Sequence, residues 1–301
     1  MKKFDFVGHL KLFVIISLAI ILLGATVNVI FGTDMDVAFK GGTLIRYSYE
    51  TAPDINQVTT IATETLGKDA SVAFDRVNST DVVTVTLPGE TTNDSKTAFA
   101  DRLEKDLAAN KLVQFSTNTL SASMGLKFLL RCLIALAVAA GLLLVYVGFR
   151  FRKIGGMSAG VAALIALAHD LIIVYFTFVI FRIDLNENFV AVMLTILGYS
   201  LNDTIVIFDR IRTNRRRMNA PLSDVVNLAV QQTMRRTIIT SVTTGLAITA
   251  VLVVALVMNV DSIISFALPM LFGALSGCYS SLVLSPAIWC RWKMRKEAQN
   301  A

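Results

Sequence analysis

Two stretches of this chain, LFVIISLAIILLGATVNVIF (12 to 31) and CLIALAVAAGLLLVYVGF (132 to 149), contain no charged residue, and nothing else in the sequence restricts its fold so tightly. Each is close to the ~20 residues that an α-helix needs to cross ~30 Å of hydrocarbon at ~1.5 Å per residue. Backbone polar groups inside a bilayer must be satisfied within the segment, so such runs become helices. Bulk composition decides little: 54% AVILMFWYC is only modestly above the roughly half expected of a soluble chain. By the same pattern, spans are expected at about 11–31, 127–149, 157–181, 189–208, 238–258 and 262–288, six in all. The sixth contains Pro269 and Pro286 and is expected to kink or to begin before the bilayer.

Lysine and arginine in the short loops set orientation. They cluster at Lys2 and Lys3, at Arg150, Arg152 and Lys153, between Arg210 and Arg236, and from Arg291 to Lys296. An even number of spans puts all four clusters on one side, the cytoplasm, together with both termini. The opposite short loops carry Arg182 and Asp261. These anchors account for the net charge of +6, so the basic loops are read as topology signals in contact with membrane lipid, and no nucleic acid is implied. The first span is too long for a signal peptide, and no A-x-A site follows it. Cys132, Cys278 and Cys290 lie in or at the ends of spans, so neither a disulfide framework nor a metal site is expected.

The expected division is 1–32 for the N-terminus and first span, 33–124 for an exported domain, 125–290 for spans two to six, and 291–301 for a basic tail. Residues 33–124 read as strand, helix, strand, strand, helix, strand. TLIRYSYE (43 to 50) alternates, Asp54 is placed to cap a helix, and SVAFDRV (71 to 77) and VVTVTL (82 to 87) flank Asn78-Ser79-Thr80-Asp81 as a hairpin. A βαββαβ order predicts a ferredoxin-like α+β sandwich. That fold specifies no function. No histidine occurs between His9 and His169, and Gly67-Lys68 lacks the spacing of a phosphate loop, so binding or mechanical work is expected of this domain.

Ionisable side chains within a span are costly and are functional candidates by default. Here they are His169 and Asp170 in span three, Asp203 in span four and Arg236 at the start of span five. Thr195, Tyr199, Asn202 and Asp203 form a polar stripe, and Arg236, Thr237, Thr240, Ser241, Thr243 and Thr244 recur at three- and four-residue spacing on the next helix. Asp203 lies six residues before Asp209, roughly 9 Å inside the edge, within reach of an Arg236 side chain extended along its stem. Burial favours the neutral carboxyl and a guanidinium the charged one, so a small rearrangement would switch such a pair. One charge moved through the membrane field is worth ~2.3 kcal/mol per 100 mV. Gly273, Ser276, Gly277, Ser280 and Ser281 read as a helix-packing face, and 222–234 as an interfacial anchor.

TILGYSLNDTIVIFDRIR (195 to 212) with RRTIITSVTT (235 to 244), AFKGGT (38 to 43) carrying Gly41 and Gly42, and ALAHDLII (166 to 173) together resemble the SecD/SecF family of the bacterial protein-export machinery, on its SecF side. The resemblance runs over essentially the whole chain, with DVAFKGGT departing from the Asp-Phe that the family places immediately before x-Gly-Gly. It implies an α-helical polytopic protein of the bacterial inner membrane, half of a twelve-span transporter of the resistance-nodulation-division superfamily, with the exported domain in the periplasm. It implies SecD, the SecYEG channel, YajC, YidC and a translocating preprotein as partners, and the proton-motive force in place of any cofactor. Asp203, Arg236 and Thr240 match the proton-coupling positions, and the neighbouring Asn202 is a candidate beside them; His169 and Asp170 match a second motif. The competing expectations are half of a small-molecule efflux permease and a passive scaffold of the translocon.

Overall fold

The computed structural model describes residues 5–67, 70–77, 80–89, 91–120, 122–258 and 260–299; Lys2, Lys3, Lys68 and the predicted turn residues Asn78 and Ser79 lie outside the described residues. The chain opens with α1 (Leu10–Phe31) and a short α2 (Val37–Lys40), then builds an α+β domain from β1 (Gly42–Ser48), α3 (Ile55–Thr65), β2 (Ser71–Val77), β3 (Thr80–Pro88), α4 (Asn93–Asp106) and β4 (Val113–Leu120). There follow α5 (Ala122–Arg150), α6 (Gly156–Ile180), α7 (Glu187–Arg217), α8 (Leu222–Val257), α9 (Asp261–Tyr279), a π-helical segment (Ser280–Leu284) and α10 (Ser285–Gln299). Among the described residues, six segments are long and apolar enough to cross a membrane, the sixth being α9 through α10.

The α+β domain follows the predicted order. Its sheet runs β2-β3-β1-β4 with every neighbouring pair antiparallel, the split βαβ arrangement. Alternation along β1 sends Ile45 and Tyr47 to one face, where they meet Val58, Ile61, Phe99 and Leu103 from the two helices. Asp54 caps α3, accepting from the Asn56 amide at 2.9 Å, and Thr92 caps α4. Gly41, at φ 77°, turns the chain from α2 into β1, a conformation glycine adopts without steric cost. The joint is crowded: a Cβ on Gly125 at the start of α5 would sit 2.5 Å from the Phe39 carbonyl oxygen. The linker after α1 is stitched to the α6–α7 loop by Asp36 N–H to Leu185 O and Leu185 N–H to Asp34 O, both 2.9 Å. Arg182 adds an ion pair to Asp34 and a bond to the Phe31 carbonyl at 3.0 Å.

In the helical bundle, α6 is central and touches α1, α5, α7, α9 and α10. Two expectations need correction. Helices α7 and α8 run well beyond the predicted spans, and 222–234 is not an interfacial anchor but the first third of α8, with Val225, Val226, Ala229 and Val230 buried against the bundle. An apolar stripe at that spacing looks the same whether it faces lipid or helices. The sixth span passes through Pro269 without a break, and its irregularity lies at Ser280–Leu284, immediately before Pro286. Proline removes an amide donor and its ring crowds the carbonyl four residues back. The widened π-turn relieves that crowding.

Candidate functional site

The predicted site residues separate into two groups. In the first, Asp203 is buried at 6% exposure on α7, and its Oδ2 has no hydrogen-bond partner. Arg236 lies within electrostatic reach of it, yet no ion pair joins them among the described residues. The expected contact between two whole polar faces is therefore corrected. Residues 236 and 237 are ~100° apart on a helix, and α8 uses that angle to make two faces of one polar cluster. Thr233, Thr237, Ser241 and Gly245 are buried, whereas Arg236, Thr240 and Thr243 are exposed. The inner face reaches α7 through Tyr199, whose hydroxyl donates to Ser241 Oγ at 3.3 Å. Among the described residues, Thr240 bonds carbonyls of its own helix, at Arg236 and Thr237. Asn202 and Thr195 on α7 are exposed as well. A polar strip thus lies open on two largely apolar helices, beside a buried carboxyl whose Oδ2 has no partner.

The second group is closed. Asp170, in the middle of α6, is wholly inaccessible. Its Oδ1 accepts from Ser276 Oγ at 2.6 Å and His169 Nδ1 at 3.2 Å, and its Oδ2 from Ser200 Oγ at 2.7 Å and Ser280 Oγ at 2.6 Å. The three serines come from α7, α9 and the π-segment, and His169 from α6 itself. Ser281 extends the network, donating to the Ser200 carbonyl at 2.9 Å and sharing a bond with Thr204 Oγ1 at 2.8 Å, next to Asp203. His169 Nε2 is buried without a partner. Ser276 and Ser280 of the sixth span, read from sequence as packing residues, are hence also donors to a buried carboxylate. Packing remains the role of the glycines: a Cβ on Gly277 would meet Ser200 Cβ at 3.0 Å. The missed signal was Ser276, Ser280 and Ser281 sharing a span with Pro286, opposite an aspartate in a neighbouring span.

Gly41 and Gly42 sit at the joint between domain and bundle rather than in either polar group. Outside the spans, Asp184 in the α6–α7 loop is held above the usual carboxylate range, first by desolvation and then by Asp34 and Asp36 nearby. No group of three or more His, Cys, Asp or Glu able to hold a metal occurs among the described residues.

Comparison with known proteins gives consistent results. The family described as "Protein export membrane protein SecD/SecF, C-terminal" matches residues 101–295. The protein translocase subunit SecF of Petrotoga mobilis is 31% identical over the full length of both chains. The protein translocase subunit SecDF of Bacillus subtilis is 31% identical over 98% of this chain, which spans 39% of that longer relative. A crystal structure of SecDF from Thermus thermophilus, a translocon-associated membrane protein, superposes on 97% of the chain with a TM-score of 0.79 and 28% identity; the chain again spans 39% of it.

Proposed function

The chain belongs to the SecD/SecF family of protein-export membrane proteins, and on that footing we propose that it is a SecF-type subunit of the Sec translocase that couples an ion gradient to late-stage preprotein export. It is a multi-pass membrane subunit and not an enzyme. It works with a SecD-type half, which corresponds to the part of the SecDF relatives that this chain does not span. The basic clusters support cytoplasmic termini and a periplasmic α+β domain in the bacterial inner membrane. SecYEG, YajC, YidC and the preprotein complete the working assembly.

The observation that carries the reading is Asp203: a carboxyl buried at the edge of an apolar helix, one oxygen unpartnered, beside an open strip formed by Asn202, Arg236 and Thr240. At membrane depth such a strip needs protein or water against it, because lipid satisfies no polar group. A second six-span half laid on this face would cover the strip and complete the surroundings of Asp203. Loss or gain of a proton there then biases the packing of the two halves, with Arg236 answering the change in charge.

The test is Asp203→Asn in the assembled complex. Gradient-dependent export is expected to fall to the level seen with the gradient dissipated, with co-purification of the SecD-type half retained. Undiminished gradient-dependent export in an intact complex would favour the passive scaffold.

A further inference from the structure

Asp170 poses a problem that the helices around it do not fully solve. Four donors converge on its two oxygens, the surroundings of an ionised carboxylate, which only accepts. A charge buried without a counterion is costly, and no lysine or arginine pairs with Asp170 among the described residues. Among the described residues, the base in contact is His169. Its Nδ1 faces the carboxylate at 3.2 Å and Ser276 Oγ at 3.4 Å, and an ionised carboxylate, which only accepts, requires the proton of a neutral ring on Nδ1. That leaves the lone pair of Nε2, which is buried and has no partner.

We propose that His169 is a second proton-binding site of the span bundle, taking a proton at Nε2 to form an imidazolium–carboxylate pair with Asp170. The proton comes from water and bonds to the Nε2 lone pair; Nδ1–H stays on Asp170, and the site passes from one net negative charge to none. The titratable groups in contact with His169 are Asp170 beside it and Tyr279 on α9 with ring centroids 6.0 Å apart, and Asp203 lies a turn along α7 from Ser200, which bonds Asp170. Cys278 on α9 turns to Ser241 instead, and α1, α5 and α10 carry their charges towards their ends. A metal cation is the competing occupant. Hard cations take oxygen ligands at about 2.0–2.6 Å, and here each carboxylate oxygen already accepts two hydrogen bonds, so a cation would have to displace hydroxyl donors.

The proposal does not rest on the coupling role of Asp203 and is tested without export. The chain contains two histidines, His9 and His169, so ¹⁵N-histidine labelling of the full chain in lipid nanodiscs gives two imidazoles, with His9→Asn assigning them. The expected result is a His169 ring protonated on Nδ1 alone at high pH, whose Nε2 signal moves to the protonated position in one step as the pH falls while helix content holds. Asp170→Asn should alter the His169 ring signals, since Nδ1 loses its carboxylate partner. An Nε2 that stays unprotonated throughout the range in which the helices persist overturns the proposal. So does a His169 signal that ignores pH but shifts when sodium chloride replaces choline chloride, which assigns the site to a cation. If Asp170→Asn does not fold, the titration of the unmodified chain still decides.

Discussion

Thr237 and Thr240 are three residues apart on α8 and live in different solvents. Thr237 is wholly buried and its hydroxyl finds no partner, whereas the exposed Thr240 hydroxyl bonds to its own helix. An unsatisfied buried polar group costs ~1–3 kcal/mol. Thr237→Val keeps the shape and removes the hydroxyl, so it is expected to raise the stability of the purified chain by about 1 kcal/mol, read from unfolding in micelles. Thr240→Val should leave that stability within about 0.5 kcal/mol while lowering gradient-driven export in the assembled complex. Sequence alone does not divide such a cluster. The types and spacing at Arg236, Thr237, Thr240 and Ser241 are visible, but which ~100° sector of the helix turns inward depends on where α7 and α9 stand.

At the scale of elements, the spans and the βαββαβ order were legible because each rests on a strong local period: charge-free runs of span length, and alternation broken by turn residues. Less local features were not. The burial of 225–230 and the π-turn at Ser280–Leu284 arise from neighbours and from the proline that follows. The close approach of α9 to α7 is a further case, and it yields a prediction. Gly277→Val places two methyl groups where Ser200 now lies 3.0 Å from a bare Cβ position. The helices must part, weakening the Ser200–Asp170 bond, and a loss of about 1–3 kcal/mol is expected in the same unfolding measurement. The α6–α7 loop offers another. An acid whose folded pKa lies above its unfolded value is stabilising when protonated, so the contacts around Asp184 should tighten as the pH falls through that raised value. Hydrogen exchange at the Asp36 and Leu185 amides, corrected for intrinsic rates, is expected to slow accordingly, and Asp184→Asn should remove the dependence.

For the whole molecule, the proposed docking of a SecD-type half on the open strip of α7 and α8 predicts a cross-linking pattern. Cysteines placed at Asn202 and at Thr240 should cross-link to the SecD-type half in native membranes, whereas one at Leu142, an outward residue of α5, should react with a lipid-soluble maleimide and not cross-link. The reverse pattern would put the partner on the opposite flank. The α+β domain is joined to the bundle in a way that bears on how it can act. Its first strand begins and its last strand ends as paired neighbours, Gly42 opposite Leu120. The two leads therefore run side by side, and the stitched linker at Leu185 fixes the base of one of them to the loop that opens α7. One lead passes directly into α5, and the other is tied by the Leu185 hydrogen bonds to the loop before α7. A pull on the domain therefore has a bonded route towards the helix that carries Asp203.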